Sequence, residues 1–402
     1  MDWTKIEESP PWRGRAWHSL LVHDDRMWII MGYDGQPDPD GAVWSSPDGH
    51  EWTLVRRTAG KLVVGNTSVV FDGKMWHLGW FAGGKQALCS TDGATWETVT
   101  TNRGMVFDHV AAVHDGRMWV TGGYMEDLEV FWVFSGALWS SDGADWSGEF
   151  FAYPPDEGPY PPRFRHTCVA FDGKLWVLGG DTVGTWGVND VWYTSYGETW
   201  TEATAAAPWS ARSMHTSVVA DGRMWVLGGR DANRRPLNDV WYSDDGVEWH
   251  QATAEAPWPK RWGHASVVFD NKIWVIGGQR NWPNLYNDVW YSEIGGEGEG
   301  EGEGEGEGEG EGEGEGEGEG EGEGEGEGEG EGEGEGEGEG EGEGEGEGEG
   351  EGEGEGEGPT RPFCCHWLES EPDNDSLFGD LLTVGLGLLL LFLSGAARGH
   401  RG

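Results

Sequence analysis

Four arginines occupy one recurring place in this chain: Arg15, Arg163, Arg212 and Arg261 each precede a histidine by three residues (His18, His166, His215, His264). A guanidinium presents paired N–H groups that match the two oxygens of a carboxylate. Arginines converging on a common axis would therefore hold an acidic ligand. A residue that recurs at one position of a repeat can equally serve the repeat, tying a loop to its neighbour, and both roles are open at this level. The polar column continues through His109, with Asn66 in one slot. No two of its members stand at metal-ligand spacing, so neither a metal nor another cofactor is expected.

The frame that positions these residues is a repeat. Residues 166–200 read HTCVAFDGKLWVLGGDTVGTWGVNDVWYTSYGETW, and residues 215–249 read HTSVVADGRMWVLGGRDANRRPLNDVWYSDDGVEW. The pattern can be laid down six times. Ten residues after each column position comes a tryptophan (Trp28, Trp76, Trp119, Trp176, Trp225, Trp274), and four further on a glycine (Gly32, Gly123, Gly180, Gly229, Gly278). In the second repeat the glycine is Gly79, and Trp80 takes the later slot. Asp-Gly between short apolar runs suits the positive φ of a tight hairpin. Four such strands in roughly 45 to 50 residues make a propeller blade.

A tryptophan three residues beyond a glycine marks each outermost strand: Trp52, Trp96, Trp146, Trp200 and Trp249. The sixth unit ends at "NDVWYSEIGG" without one, yet Trp3 in "DWTKIEESPPW" stands in the same context as Trp249 in "EWHQATAEAPW". The N-terminal segment thus supplies the missing fourth strand and leaves no open edge. The expectation is an all-β, six-bladed propeller over residues 1–296.

These features resemble the kelch family of β-propellers, in particular the bacterial six-bladed kind. The resemblance rests on the glycine pairs (Gly122-Gly123, Gly179-Gly180, Gly228-Gly229, Gly277-Gly278), the "NDVWY" third strands and the spaced tryptophans. Blades two and three depart from the pattern, with Asn66 for His, Gly79-Trp80 for Gly-Gly and Leu88 for the third-strand Trp. The family includes copper oxidases with a cross-linked Tyr-Cys and a six-bladed sialic-acid mutarotase. Cys89 and Cys168 match no Tyr motif, which sets the oxidase aside. Mutarotation would need acid-base groups near the axis, such as Glu126, Asp127 or Glu129 with one of the arginines. "STDGATW" at residues 90–96 resembles the Asp-box of sialidases but is one residue short of it. It lies in a turn on the side away from the usual active face, so a folding role is expected.

Loops joining second to third and fourth to first strands share one face, and the insertions fall there. Trp80, Tyr124, Glu126, Trp186, Arg234, Arg280 and Trp282 mix aromatic plates with charged hydrogen-bonders in those loops. With Arg15, Arg163, Arg212 and Arg261 they form the expected binding set for a glycan or protein ligand. A binding or adhesion module is the expected function, and a sugar-acting enzyme of the mutarotase or sialidase type is the alternative.

The charge of −48 is mostly a linker, because residues 297–358 are an unbroken Glu-Gly repeat with 31 glutamates. Residues 1–296 hold 38 acidic against 23 basic residues. That balance excludes a nucleic-acid partner. The repeat is expected to be a disordered tether. Residues 359–380 carry Cys364 and Cys365, and 381–397 form a 17-residue apolar run followed by Arg398 and Arg401. The layout resembles bacterial C-terminal sorting signals. It implies a membrane-spanning helix, a basic tail (398–402) in the cytoplasm and a propeller outside it at the cell envelope. The two cysteines would be a processing or lipidation point. Residues 1–20 show no secretory leader, so the start is expected to lie upstream of Met1.

Overall fold

The computed structural model describes residues 1–6, 9–35, 41–58, 65–79, 86–127, 130–153, 158–281 and 283–295. The Glu-Gly repeat, Cys364, Cys365, the 381–397 segment, Trp80 and Trp282 lie outside them, as does the Glu126 side chain. Among the described residues no helix is long and apolar enough to cross a membrane.

Six antiparallel blades follow one another. The first four comprise Ser19–His23, Arg26–Ile30, Gly41–Ser46 and Thr53–Thr58; then Thr67–Phe71, Lys74–Leu78, Gln86–Ser90 and Glu97–Thr100; then Val110–His114, Arg117–Thr121, Val130–Ser140 and Ser147–Tyr153; then Thr167–Phe171, Lys174–Thr182, Thr185–Thr194 and Thr201–Thr204. The fifth comprises Thr216–Ala220, Arg223–Asp231, Pro236–Ser243 and His250–Thr253, and the sixth Ala265–Phe269, Lys272–Ile276 and Val289–Glu293. Trp3–Lys5 completes the last blade, with Trp3 opposite Ser292, Thr4 opposite Tyr291 and Lys5 opposite Trp290. The Trp3 ring meets Trp258 edge-on at 5.8 Å and 85°. Blade five repeats that contact between Trp249 and Trp209, at 5.9 Å and 83°. Trp3 is therefore the fourth-strand tryptophan of the sixth blade.

Six apolar clusters fill the six interfaces between neighbouring blades. Leu178 and Val191 of blade four, for example, meet Met224 and Val226 of blade five. No blade has a core of its own, so burial of apolar surface acts only between blades. Small hydrogen-bonded turns lock the far face: the hydroxyls of Ser46, Ser90, Ser140 and Ser243 each donate to the aspartate two residues on, at 3.0–3.2 Å. Each aspartate accepts two backbone N–H groups in return. The STDGATW turn is thus one of four equivalent folding turns rather than a lone motif.

Several segments read from the sequence as loops continue as strand instead. Lys174–Thr182 and Thr185–Thr194 form one long hairpin, as do Arg223–Asp231 and Pro236–Ser243. In blade three Tyr124–Asp127 pairs with the start of Val130–Ser140, and Phe150–Tyr153 pairs with Val133–Gly136. Continued pairing satisfies backbone groups that a loose loop would leave to solvent. These paired segments form walls around one end of the axis.

Candidate functional site

The repeated arginines are struts. Arg163, Arg212 and Arg261 have no exposed side-chain surface. Each grips an aspartate of its own blade with both terminal nitrogens: Asp190 at 2.8 and 2.7 Å, Asp239 at 2.9 and 2.7 Å, Asp288 at 2.8 and 2.7 Å. The same guanidiniums donate to the carbonyls of Gly179, Gly228 and Gly277, and through Nε to those of Pro161, Ser210 and Pro259. Burial pushes the Asp190 and Asp288 carboxyls up, but the arginine hydrogen bonds and charge outweigh it and leave both below the ordinary carboxylate value. Arg15 is 2% exposed and donates to the Met31 carbonyl at 2.8 Å; burial, against the pull of Asp34, lowers it to about 10. As ligand-holding forks Arg163, Arg212 and Arg261 are corrected: their donors are spent on the "ND" aspartates and on backbone; Arg15 is buried away from the mouth with its Nε lacking a hydrogen-bond partner.

The histidine column joins blades. His166 pairs with Thr121 at 2.9 Å, His215 with Thr167 at 3.0 Å and His264 with Thr216 at 3.0 Å, each threonine belonging to the preceding blade. The glycine pair makes room for it. A Cβ on Gly179 would meet the His215 ring and one on Gly180 would meet the His166 Cβ, both at positive φ. Where the next blade carries Asn66 in place of His, the first glycine is replaced by Met31. Burial, reinforced by Arg15 and Arg212 respectively, lowers His18 and His215 to about 3. Burial likewise lowers His109 to about 4, and His166 and His264 fall well below the ordinary value.

The residue just before each column position is the one that varies: Trp17, Gly65, Asp108, Arg165, Met214 and Gly263. All six have positive φ, from 50° at Asp108 to 79° at Gly65. Their backbones form a hydrogen-bonded rim: Asp108 N–H donates to Gly65, Arg165 to Asp108, Met214 to Arg165, Gly263 to Met214 and Trp17 to Gly263, at 2.8–3.2 Å. Because the main chain makes the rim, its side chains can differ from blade to blade without breaking it. They line a cavity of about 180 Å³ on the axis, together with the histidine column.

Charged and aromatic groups surround this mouth. Arg165 Nε donates to Asp108 at 2.7 Å, and its Nη1 lies 3.6 Å from Asp181. Arg230 binds the same Asp181 at 3.1 Å. Arg230 also lies 5.5 Å from the Trp186 ring and 5.3 Å from Trp262, while Arg234 is 4.4 Å from Trp186. Trp262 continues to Trp17 at 5.7 Å and Trp17 to Tyr33 at 5.9 Å, completing a ladder of guanidiniums and rings. On the other side Tyr124 packs with Phe107, Phe131 and Phe164, and Arg165 sits 5.1 Å from Phe164. Of the expected set, Tyr124, Trp186 and Arg234 thus reach the mouth. Arg280 is exposed beside it, its carbonyl accepting the Trp262 indole at 3.2 Å. Trp17, Asp108, Arg165, Asp181, Arg230 and Trp262 were not in that set, although a variable slot inside an otherwise repeating frame was the signal. Among the described residues no cluster of His, Cys, Asp and Glu could hold a metal ion.

A closed ring of six four-stranded blades, tied by glycine pairs and arginine struts and with a cavity on its axis, is a kelch-type propeller. Residues 61–278, more than half of the chain, match the family model described as the KLHDC2/KLHL20/DRC7 Kelch-repeats domain, and the chain belongs to that kelch-repeat family. The solved structure of YjhT is similar in fold, with a TM-score of 0.57 and 15% identity, covering 73% of this chain and 98% of that one. No curated protein sequence matches the chain.

Proposed function

We propose that the propeller is a ligand-binding module that takes a protein or glycan at the loop-face end of its axis, presented from a cell envelope by the Glu-Gly tether and the apolar 381–397 segment. Kelch propellers commonly serve as protein-binding modules. One observation carries the reading. At the axial rim the repeat stops serving the fold, and Asp108, Arg165, Asp181 and Arg230 from three blades meet beside a cavity. Both described carboxylates of this cluster are held by arginines, which suits recognition better than proton transfer. The test is to screen the full chain against a glycan array and a peptide display library, and to assay it for sialic-acid mutarotation. Saturable binding without turnover supports the module. Turnover abolished by Arg165→Gln would establish the sugar-acting enzyme instead. Membrane display is checked by fractionation: the chain should sediment with membranes and become soluble when 359–402 are deleted.

A further inference from the structure

On the far face, the turns that join third to fourth strands depart from their pattern at one position. In blades one, two, three and five an aspartate (Asp48, Asp92, Asp142, Asp245) accepts the N–H groups two and three residues on. Blade four places Tyr196 there. Its turn keeps the other half of the device, with Thr194 Oγ1 accepting the N–H groups of Tyr196 and Gly197 at 3.3 and 2.8 Å. The N–H groups of Glu198 and Thr199, which the carboxylate would have held, have no acceptor among the described residues. Nothing inside the fold compensates. Tyr196 is 78% exposed, the most exposed of the large hydrophobic side chains described. A local rule broken with no internal gain marks a side chain kept for something outside the chain.

We infer that Tyr196 anchors a second binding surface, on the far face, for a basic segment of a polypeptide partner. Val247, 51% exposed, stands in the corresponding turn of blade five. Thr204 Oγ1, at the end of the fourth strand of blade four, donates toward the Gly246 and Val247 carbonyls at 3.3 and 3.2 Å and so holds that turn against blade four. An aromatic ring and an aliphatic side chain in neighbouring turns supply the apolar contact of a binding hot spot. Charge sets the partner. Glu198 and Glu202 of blade four and Glu248 of blade five are exposed and paired with no base among the described residues. The cations that these two blades carry at this end are engaged: Lys174 lies 4.7 Å from the Tyr193 ring, and Arg223 binds Asp244 at 2.8 Å. Unmatched carboxylates around an exposed ring attract lysines and arginines, and repel both an anionic lipid surface and a second copy of this acidic chain.

The surface lies at the end of the axis opposite the loop face, so it stands or falls independently of the ligand proposed there. Random dodecapeptides on phage are selected against the full chain after depletion on Tyr196→Asp, and affinities are measured by fluorescence anisotropy. The selected peptides should carry net positive charge and bind about 10-fold or more weakly to both Tyr196→Asp and Tyr196→Ala. Added salt, or Glu198→Gln together with Glu248→Gln, should weaken them further. The same variants read the cost to the fold. Tyr196→Asp restores the accepting carboxylate and should raise the thermal midpoint by about 2 °C, while Tyr196→Ala should leave it within about 1 °C. A midpoint that fails to rise in the first variant, or falls in the second, makes the tyrosine part of the fold and overturns the inference. A library that yields no peptide dependent on Tyr196 overturns it too, and neutral or acidic selected peptides overturn the basic partner. Phosphatidylcholine–phosphatidylglycerol vesicles that bind the full chain better than Tyr196→Asp, where no peptide does, overturn the polypeptide source.

Discussion

At the scale of single residues, one side-chain type plays two opposed parts. Arg212 is fully buried and holds Asp239 and the Gly228 carbonyl. Truncating one partner of a buried pair strands the other charge, so Arg212→Ala should lower stability by about 3–5 kcal/mol in urea titration. Asp239→Asn in the same chain should restore part of that loss. Arg165, two residues beyond a strut in the fourth blade, is partly open and bonded through Nε only. The histidines give a further residue-scale expectation. Their folded values, about 3 for His18 and His215 and about 4 for His109, lie below the ordinary 6.5. The unfolded chain therefore takes up protons first as pH falls. The stability they contribute is complete above about 6.5 and drains away between there and about 3. Urea midpoints at pH 7.5, 6 and 5 should fall in that order; a flat profile would mean the imidazoles titrate alike in the folded and unfolded chain.

At the scale of elements, the closing strand is both the shortest fourth strand and the one drawn from the other end of the sequence. Trp3–Lys5 makes three register pairs with Val289–Glu293, so much of its hold comes from Trp3, which is 8% exposed and packs among Trp225, Trp258 and Ile273. Trp3→Ala should cost about 3–5 kcal/mol, read as a lower thermal midpoint. The loss should come with faster hydrogen exchange in Val289–Glu293, the strand it would expose. A midpoint unchanged by this substitution would mean the ring does not depend on its N-terminal strand. The extended hairpins of blades four and five are the other element-scale feature. By continuing as strand to Thr182 and Asp231 they place Asp181 and Arg230 rigidly beside the rim, where a loose loop would not.

For the whole molecule, the six interface clusters mean that removing any blade exposes two of them. Unfolding of the propeller should therefore be a single cooperative event, with tryptophan fluorescence and far-UV circular dichroism giving coincident midpoints. Separate transitions would show that some blades hold together alone. Asp48, Asp92, Asp142 and Asp245 lock the turns at one end, while at the other Arg165 and Arg230 gather with Asp108 and Asp181.

Much of this was legible in the chain itself. The number of blades, the strand order within each and the need for Trp3 to complete the last one follow from the spacing of Trp, Gly-Gly and Asp-Gly, because periodicity and turn chemistry are local properties of a sequence. The recurrence of the arginines was legible too, but not their task. Only the folded ring decides whether a guanidinium meets the aspartate 27 residues away in its own blade or one in the preceding blade, as Arg163 and Arg165 show within three positions of each other. The same holds for the mouth. Asp108, Arg165, Asp181 and Arg230 are scattered over more than a hundred residues, and what unites them is that equivalent backbone positions of successive blades converge on one axis. Convergence of that kind is a property of the closed circle, and no local stretch contains it.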